Sequence, residues 1–105
     1  AAESLWACDP MHGNTELSGA RKTRRFEHIL GELARTCDVH AAEGTRLGGA
    51  HLEITHQDVT ECLGGASGVT ETDLTRNYVT ACDPRLNYEQ ALELAFTLGE
   101  RIAAA

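Results

Sequence analysis

Leu5-Trp6-Ala7-Cys8-Asp9-Pro10 is a short apolar run closed by an Asp-Pro pair. Proline lacks an N–H and disfavours helix in the residue before it, so the run reads as a buried strand ending at a loop. The same closing residues return as Ala81-Cys82-Asp83-Pro84 behind Tyr78-Val79-Thr80, a β-branched and aromatic run that predicts a strand over 78–82. Between the two, Gly48-Gly49 leads into Ala50-His51-Leu52-Glu53-Ile54, short, partly apolar and bounded by turn residues, which predicts a further strand.

Helical signals alternate with these strands. Met11 to Lys22 is rich in Gly, Asn, Thr and Ser and reads as a loop, after which Phe26, Ile29, Leu30 and Leu33 recur at helical spacing, predicting a helix from about Arg21 to Ala42. Thr55 with Asp58 resembles a helix start, and Gly64-Gly65 would close the short helix it begins. Ser67 to Asn77 is polar and reads as loop. Asn87 with Gln90 caps a last helix, whose Ala91, Leu92, Leu94, Ala95, Phe96, Leu98 and Ile102 cover more than one face and therefore expect covering on several sides. This alternation belongs to a parallel α/β sheet or barrel, and three strands cannot close a barrel. In such folds chemistry gathers at the carboxyl ends of strands, so the repeated Ala-Cys-Asp-Pro marks two points on that face; shared turn chemistry explains the repeat equally well.

A chain of 105 residues, 42% hydrophobic and 24% charged, is expected to form one domain, residues 1–105. At this size about two-thirds of the unfolded surface can be buried, so a partner chain, a metal or self-association would assist stability. A formal charge of -7, with Lys22 the only lysine, argues against nucleic acid or an acidic membrane as partner. Nothing resembles a signal peptide or a membrane span. Cys8, Cys37, Cys62 and Cys82 lack CxxC spacing and fit a cytoplasmic protein with free thiols better than a disulfide scaffold. The start, Ala1-Ala2-Glu3 without methionine, reads as an interior or processed segment.

The three strand ends bring forward His12, Glu53 and Asp83, one imidazole and two carboxylates. Such a set suits Mn²⁺, Co²⁺, Fe²⁺ or Zn²⁺ better than a closed structural zinc site, although polar residues also cap strands without a metal. His28, His40 and His56 fit solvated or hydrogen-bonded roles. His51 shares a strand face with Glu53 and could orient a ligand or bind one. Arg21-Lys22-Thr23-Arg24-Arg25 is the only basic run; at a loop-to-helix junction it suits a phosphate or carboxylate, and equally a solvated helix face. The glycine pairs match no phosphate or dinucleotide loop and belong to turns and close packing.

Several longer strings resemble one family: Trp6-Ala7-Cys8-Asp9-Pro10-Met11-His12-Gly13-Asn14-Thr15, Lys22-Thr23-Arg24, Glu43-Gly44-Thr45, Val59-Thr60-Glu61-Cys62-Leu63-Gly64-Gly65 and Thr80-Ala81-Cys82-Asp83-Pro84-Arg85-Leu86-Asn87. It is the class II, plant and actinobacterial type of 3-deoxy-D-arabino-heptulosonate 7-phosphate (DAHP) synthase, matched in order over nearly the whole chain. The resemblance implies an α/β fold made of the last β/α units of a (β/α)8 TIM-type barrel. It also implies the aldol-like condensation of phosphoenolpyruvate with erythrose 4-phosphate in the shikimate pathway.

The family holds a divalent metal, Mn²⁺ or Co²⁺, by a cysteine, a histidine, a glutamate and an aspartate. Three of these carry over as His12, Glu53 and Asp83, with His12 also near phosphoenolpyruvate as a catalytic residue, and Lys22 and Arg24 stand as candidate phosphate or substrate contacts. The family's metal-binding cysteine and the residues gripping phosphoenolpyruvate belong to an upstream half without counterpart here, and Cys8 and Cys82 belong to other motifs. Arg46-Leu47 replaces a common His-Pro pair. The expected partner is thus a complementary upstream chain or further copies of this one. The alternatives are a stand-alone oligomeric metal-binding or interaction protein, and a small metalloenzyme with another substrate in secondary metabolism.

Overall fold

A computed structural model describes residues 4–104, without the side chains of Ile102 and Ala104; the start Ala1-Ala2-Glu3 and the Ile102 side chain therefore lie outside the described residues. The chain is mixed α/β, with a parallel strand pair and two long helices. β1 (Trp6–Cys8) pairs in parallel with β4 (Leu47–Ala50), Cys8 opposite Ala50, and His51 N–H extends the pairing by donating to the Cys8 carbonyl at 2.7 Å. Helix α1 (Phe26–Ala42) makes the crossover between them, and helix α2 (Tyr88–Ala104) packs beside α1.

The stretch expected to be loop, Met11 to Lys22, instead holds an antiparallel hairpin of β2 (Thr15–Ser18) and β3 (Arg21–Arg24), with Thr15 opposite Arg24. The two-residue turn is made possible by Gly19 at φ 64, a backbone region glycine enters without steric cost. Because 21–24 belong to β3, α1 starts at Phe26 rather than at Arg21. The middle strand also lies earlier than expected, over 47–50, and residues 51–53 run on without a ladder.

Two further expectations are corrected. No helix forms over 55–64; the same Thr-x-x-Asp signal works instead at Thr70 and Asp73, where a reciprocal capping box opens a 3-10 helix over Glu71–Thr75, inside the stretch read as loop. Residues 78–82 are not a strand. The N–H groups of Val79 and Thr80, which a ladder would engage, donate to the Glu61 carboxylate at 3.1 and 2.8 Å. The parallel contact falls further on: Leu86 N–H donates to Glu53 O and Thr55 N–H to Leu86 O, a single bridge between Ile54 and Leu86.

The cap of α2 is as expected. Gln90 N–H donates to Asn87 Oδ1 at 2.9 Å and Asn87 N–H to Gln90 Oε1 at 3.0 Å, so two otherwise orphaned donors are satisfied. Gly64 and Gly65 turn at φ 85 and 79, and a side chain on Gly64 would land on the Glu27 carboxylate that receives the Gly65 N–H.

The core joins Phe26, Ile29 and Leu33 of α1 to Leu94 of α2, Leu86, Met11, Cys8 and Cys62. Each large apolar side chain buried there contributes about 1.5–3 kcal/mol. Among the described residues only one side of α2 is covered: Leu94 is fully buried, while Phe96 is 70% and Leu92 40% exposed. The molecule is elongated, 50 × 22 × 19 Å, and its radius of gyration of 14.7 Å exceeds the roughly 13 Å of a compact chain this long. All four cysteines are free, and no described helix is long and apolar enough to cross a membrane.

Candidate metal centre

Immediately after β1, Asp9 shapes the chain. Its Oδ1 accepts the N–H groups of Met11 and His12 at 2.9 and 3.2 Å, a local side-chain turn that starts the 3-10 turn His12–Asn14. Asn14 then ties that turn back by donating to the Pro10 carbonyl at 2.7 Å and to Glu32 on α1 at 3.2 Å. The other oxygen, Asp9 Oδ2, lies 2.6 Å from His12 Nδ1. Partial desolvation raises the Asp9 pKa, but the hydrogen bonds from the His12 ring and from the two backbone N–H groups outweigh it and hold the carboxyl at about 2. An ionised Asp9 is an acceptor only, so Nδ1 carries the proton and Nε2 presents the face available for coordination.

His12 Nε2 is 3.0 Å from Glu53 Oε1. With the ring neutral and its proton on Nδ1, this sets a lone pair against a carboxylate oxygen, a repulsive contact that turns attractive when a cation stands between the two atoms or a proton sits on Nε2. Asp83 closes the third side: ligand atoms of His12, Glu53 and Asp83 all lie within 4.8 Å of one another. The structure thus brings together all three residues singled out as metal ligands. Nitrogen plus two carboxylates is a donor set suited to a divalent first-row ion. Asp9, His12 and His51 form a second group of the same spread, with the His51 ring stacked 5.6 Å from that of His12.

The basic run is divided by the hairpin. Lys22 and Arg24 lie two apart on β3 and so share a face. Lys22 Nζ is exposed and stands 3.5 Å from Asp83 Oδ1; Arg24 is completely buried, with Nη1 3.1 Å from Glu53 Oε2. Arg25 points elsewhere, its Nε 2.7 Å from Glu16 and its Nη2 3.4 Å from Glu71. Arg21 lies over the ring of Tyr78, whose hydroxyl donates to the Lys22 carbonyl at 2.7 Å.

Glu61 was singled out by no spacing rule, yet it organises the loop that carries Asp83. Fully buried, it accepts five hydrogen bonds: from the N–H groups of Val79, Thr80 and Arg85, and from Arg85 Nε and Nη2 at 3.0 and 2.9 Å. Burial pushes its pKa up, but the Arg85 guanidinium and the three N–H groups more than offset this and hold it below 4.5. The only advance sign of Glu61 was its place in the string Thr60-Glu61-Cys62-Leu63-Gly64-Gly65. Next to it, burial pushes the Cys62 thiol up to about 12, so it stands protonated at neutral pH. An open cleft lined by Leu52, Glu53, Ile54, Thr80, Cys82 and Asp83 gives access to the carboxylates.

Known proteins supply an independent comparison. The family model described as the Class-II DAHP synthetase family matches residues 1–99. A phospho-2-dehydro-3-deoxyheptonate aldolase of Neurospora crassa is 56% identical over 97 residues, covering 91% of this chain and 20% of that protein. The phospho-2-dehydro-3-deoxyheptonate aldolase AroG of Mycolicibacterium smegmatis is 54% identical over 99 residues, covering 93% of this chain and 21% of its own length. A third, from Streptomyces lividans, is 51% identical over 100 residues, which are 94% of this chain and 68% of that relative. The chain therefore spans about a fifth of the length of the first two relatives. With the match running through both Ala-Cys-Asp-Pro sequences and everything between them, this chain belongs to the class-II DAHP synthetase family.

Proposed function

We propose that this chain is the metal-holding portion of a DAHP synthase, with His12, Glu53 and Asp83 as ligands for a divalent cation, Mn²⁺ or Co²⁺. The reaction is the aldol-like condensation of phosphoenolpyruvate with erythrose 4-phosphate in the shikimate pathway. The observation that carries the reading is the convergence of the three ligand atoms within 4.8 Å in a member of this family. When bound, a divalent ion supplies Lewis acidity toward a carbonyl oxygen. Asp9 keeps the His12 proton on Nδ1 and so keeps Nε2 for coordination, and His12 stands at the edge where phosphoenolpyruvate would lie. The exposed ammonium of Lys22 beside Asp83 is suited to a substrate phosphate.

The architecture this reading implies is the last β/α units of a (β/α)8 barrel, residues 1–105 forming one unit of it. The parallel pairing of β1 with β4 and the parallel bridge at Ile54 and Leu86 support it. A complementary upstream chain, or copies of this one, would cover the exposed Leu92 and Phe96 of α2 and supply the remaining ligands, and the assembly would work in the cytoplasm.

Metal analysis of the purified protein against His12→Ala and Asp83→Ala tests the ligand set. Each variant is expected to lose most of its Mn²⁺, and equal metal in all three rejects the assignment. Condensation of the two substrates is expected only when an upstream family segment is added, and full activity of this chain alone would overturn the need for a complement.

A further inference from the structure

We propose that Arg24 is the positioning residue of the metal centre, one guanidinium that sets the relative placement of all three ligand-bearing segments. The inference rests on reading His12, Glu53 and Asp83 as that centre. Nε of Arg24 donates to Thr15 Oγ1 at 2.9 Å, one residue beyond the turn His12–Asn14. Nη1 donates to Glu53 Oε2 at 3.1 Å and to the carbonyl of Pro84, the residue after Asp83, at 2.7 Å. Each segment that carries a candidate ligand is thus held by the same rigid, planar group.

The consequence for Glu53 is specific. With Oε2 held by Arg24, Oε1 is the oxygen turned toward His12 Nε2, so the guanidinium selects the coordinating oxygen and disfavours bidentate binding. Lysine cannot replace this function, because a single ammonium lacks the fixed fork that meets three acceptors lying in different directions. The arrangement is also not one that stability alone would select. Arg24 is 0% exposed and its Nη2 is buried with no hydrogen-bond partner among the described residues, whereas an apolar side chain of similar volume would leave no such donor unpaired. Outer partners of this kind orient ligands and typically govern metal affinity by about 10–100-fold.

The test is Co²⁺ and Mn²⁺ titration of the purified wild type, His12→Ala, Arg24→Lys, Arg24→Met and Thr15→Val, read by dissociation constant and by the visible absorption band of the Co²⁺ form. Both Arg24 variants are expected to bind about tenfold or more weakly, with a changed Co²⁺ band that loss of folded protein alone would not produce. Thr15→Val, which removes one acceptor of Arg24 and touches no candidate ligand, is expected to shift the band in the same direction with a smaller loss of affinity. Wild-type affinity and an unchanged band in Arg24→Lys overturn the proposal. If neither Arg24 variant folds, Thr15→Val decides, and an unchanged affinity and band there overturn it. Equal binding by wild type and His12→Ala is the separate outcome that removes the metal centre itself.

Discussion

The loop packed around Glu61 and the outer face of α2 invert the usual arrangement of a small protein. At the first, the buried Glu61 carboxylate has its hydrogen bonds made by three backbone N–H groups and the partly exposed Arg85 guanidinium; at the second, Leu92 and Phe96 face outward. Buried charge demands partners at defined distances, and this chain provides them within residues 61–85, so that region can be complete without help. Apolar surface demands only coverage, which the described residues do not provide for α2. The difference shows that the described residues hold the loop of Asp83 by their own hydrogen bonds but pack only one side of the last helix.

The hardest break of that comparison is Glu61→Ala. It leaves the Arg85 side chain and three backbone N–H groups without their acceptor, and we expect a loss of about 3–5 kcal/mol in urea unfolding, with metal affinity falling as the Asp83 loop loosens. Acid sharpens the same point more gently, because a protonated Glu61 still accepts some of these bonds. Its pKa is depressed by folding, so its contribution is complete above the ordinary glutamate value of 4.5 and is lost as pH falls through the lower folded value. Stability measured downward from pH 5 should therefore drop in the wild type and drop less in Glu61→Gln relative to its own value at pH 5. The smallest effect belongs to the other region: Phe96→Ser should change unfolding free energy by no more than about 0.5 kcal/mol, while reducing self-association or binding to an upstream segment in sedimentation. A large loss of stability there would mean that α2 is covered after all.

The sequence carried the family, the mixed α/β class, the reciprocal cap of Asn87 and Gln90, and the turn glycines, because each leaves a local or string-level trace. The proximity of His12, Glu53 and Asp83 was legible through the family strings more than through the strands, two of which were misplaced. The hairpin escaped notice since β2 and β3 carry Thr, Glu, Arg and Lys where a strand rule looks for apolar alternation; Thr15, Thr23 and Arg24 serve the interior hydrogen bonds instead of a hydrophobic face. Residues 78–82 have strand composition, but Glu61 takes the N–H groups that a ladder needs, an effect of a side chain 18 positions away that no window rule detects. Arg24 looked like part of a surface basic run for the same reason: burial of a charge depends on distant acceptors at Glu53 and Pro84.

Cys82 lies one residue before Asp83, on the wall of the open cleft, and is the one exposed thiol of the four, while Cys62 and Cys8 are buried. A maleimide dye offered to the folded protein would therefore attach first beside the carboxylates, turning the wild-type chain into a fluorescent reporter whose colour and brightness follow what enters the cleft.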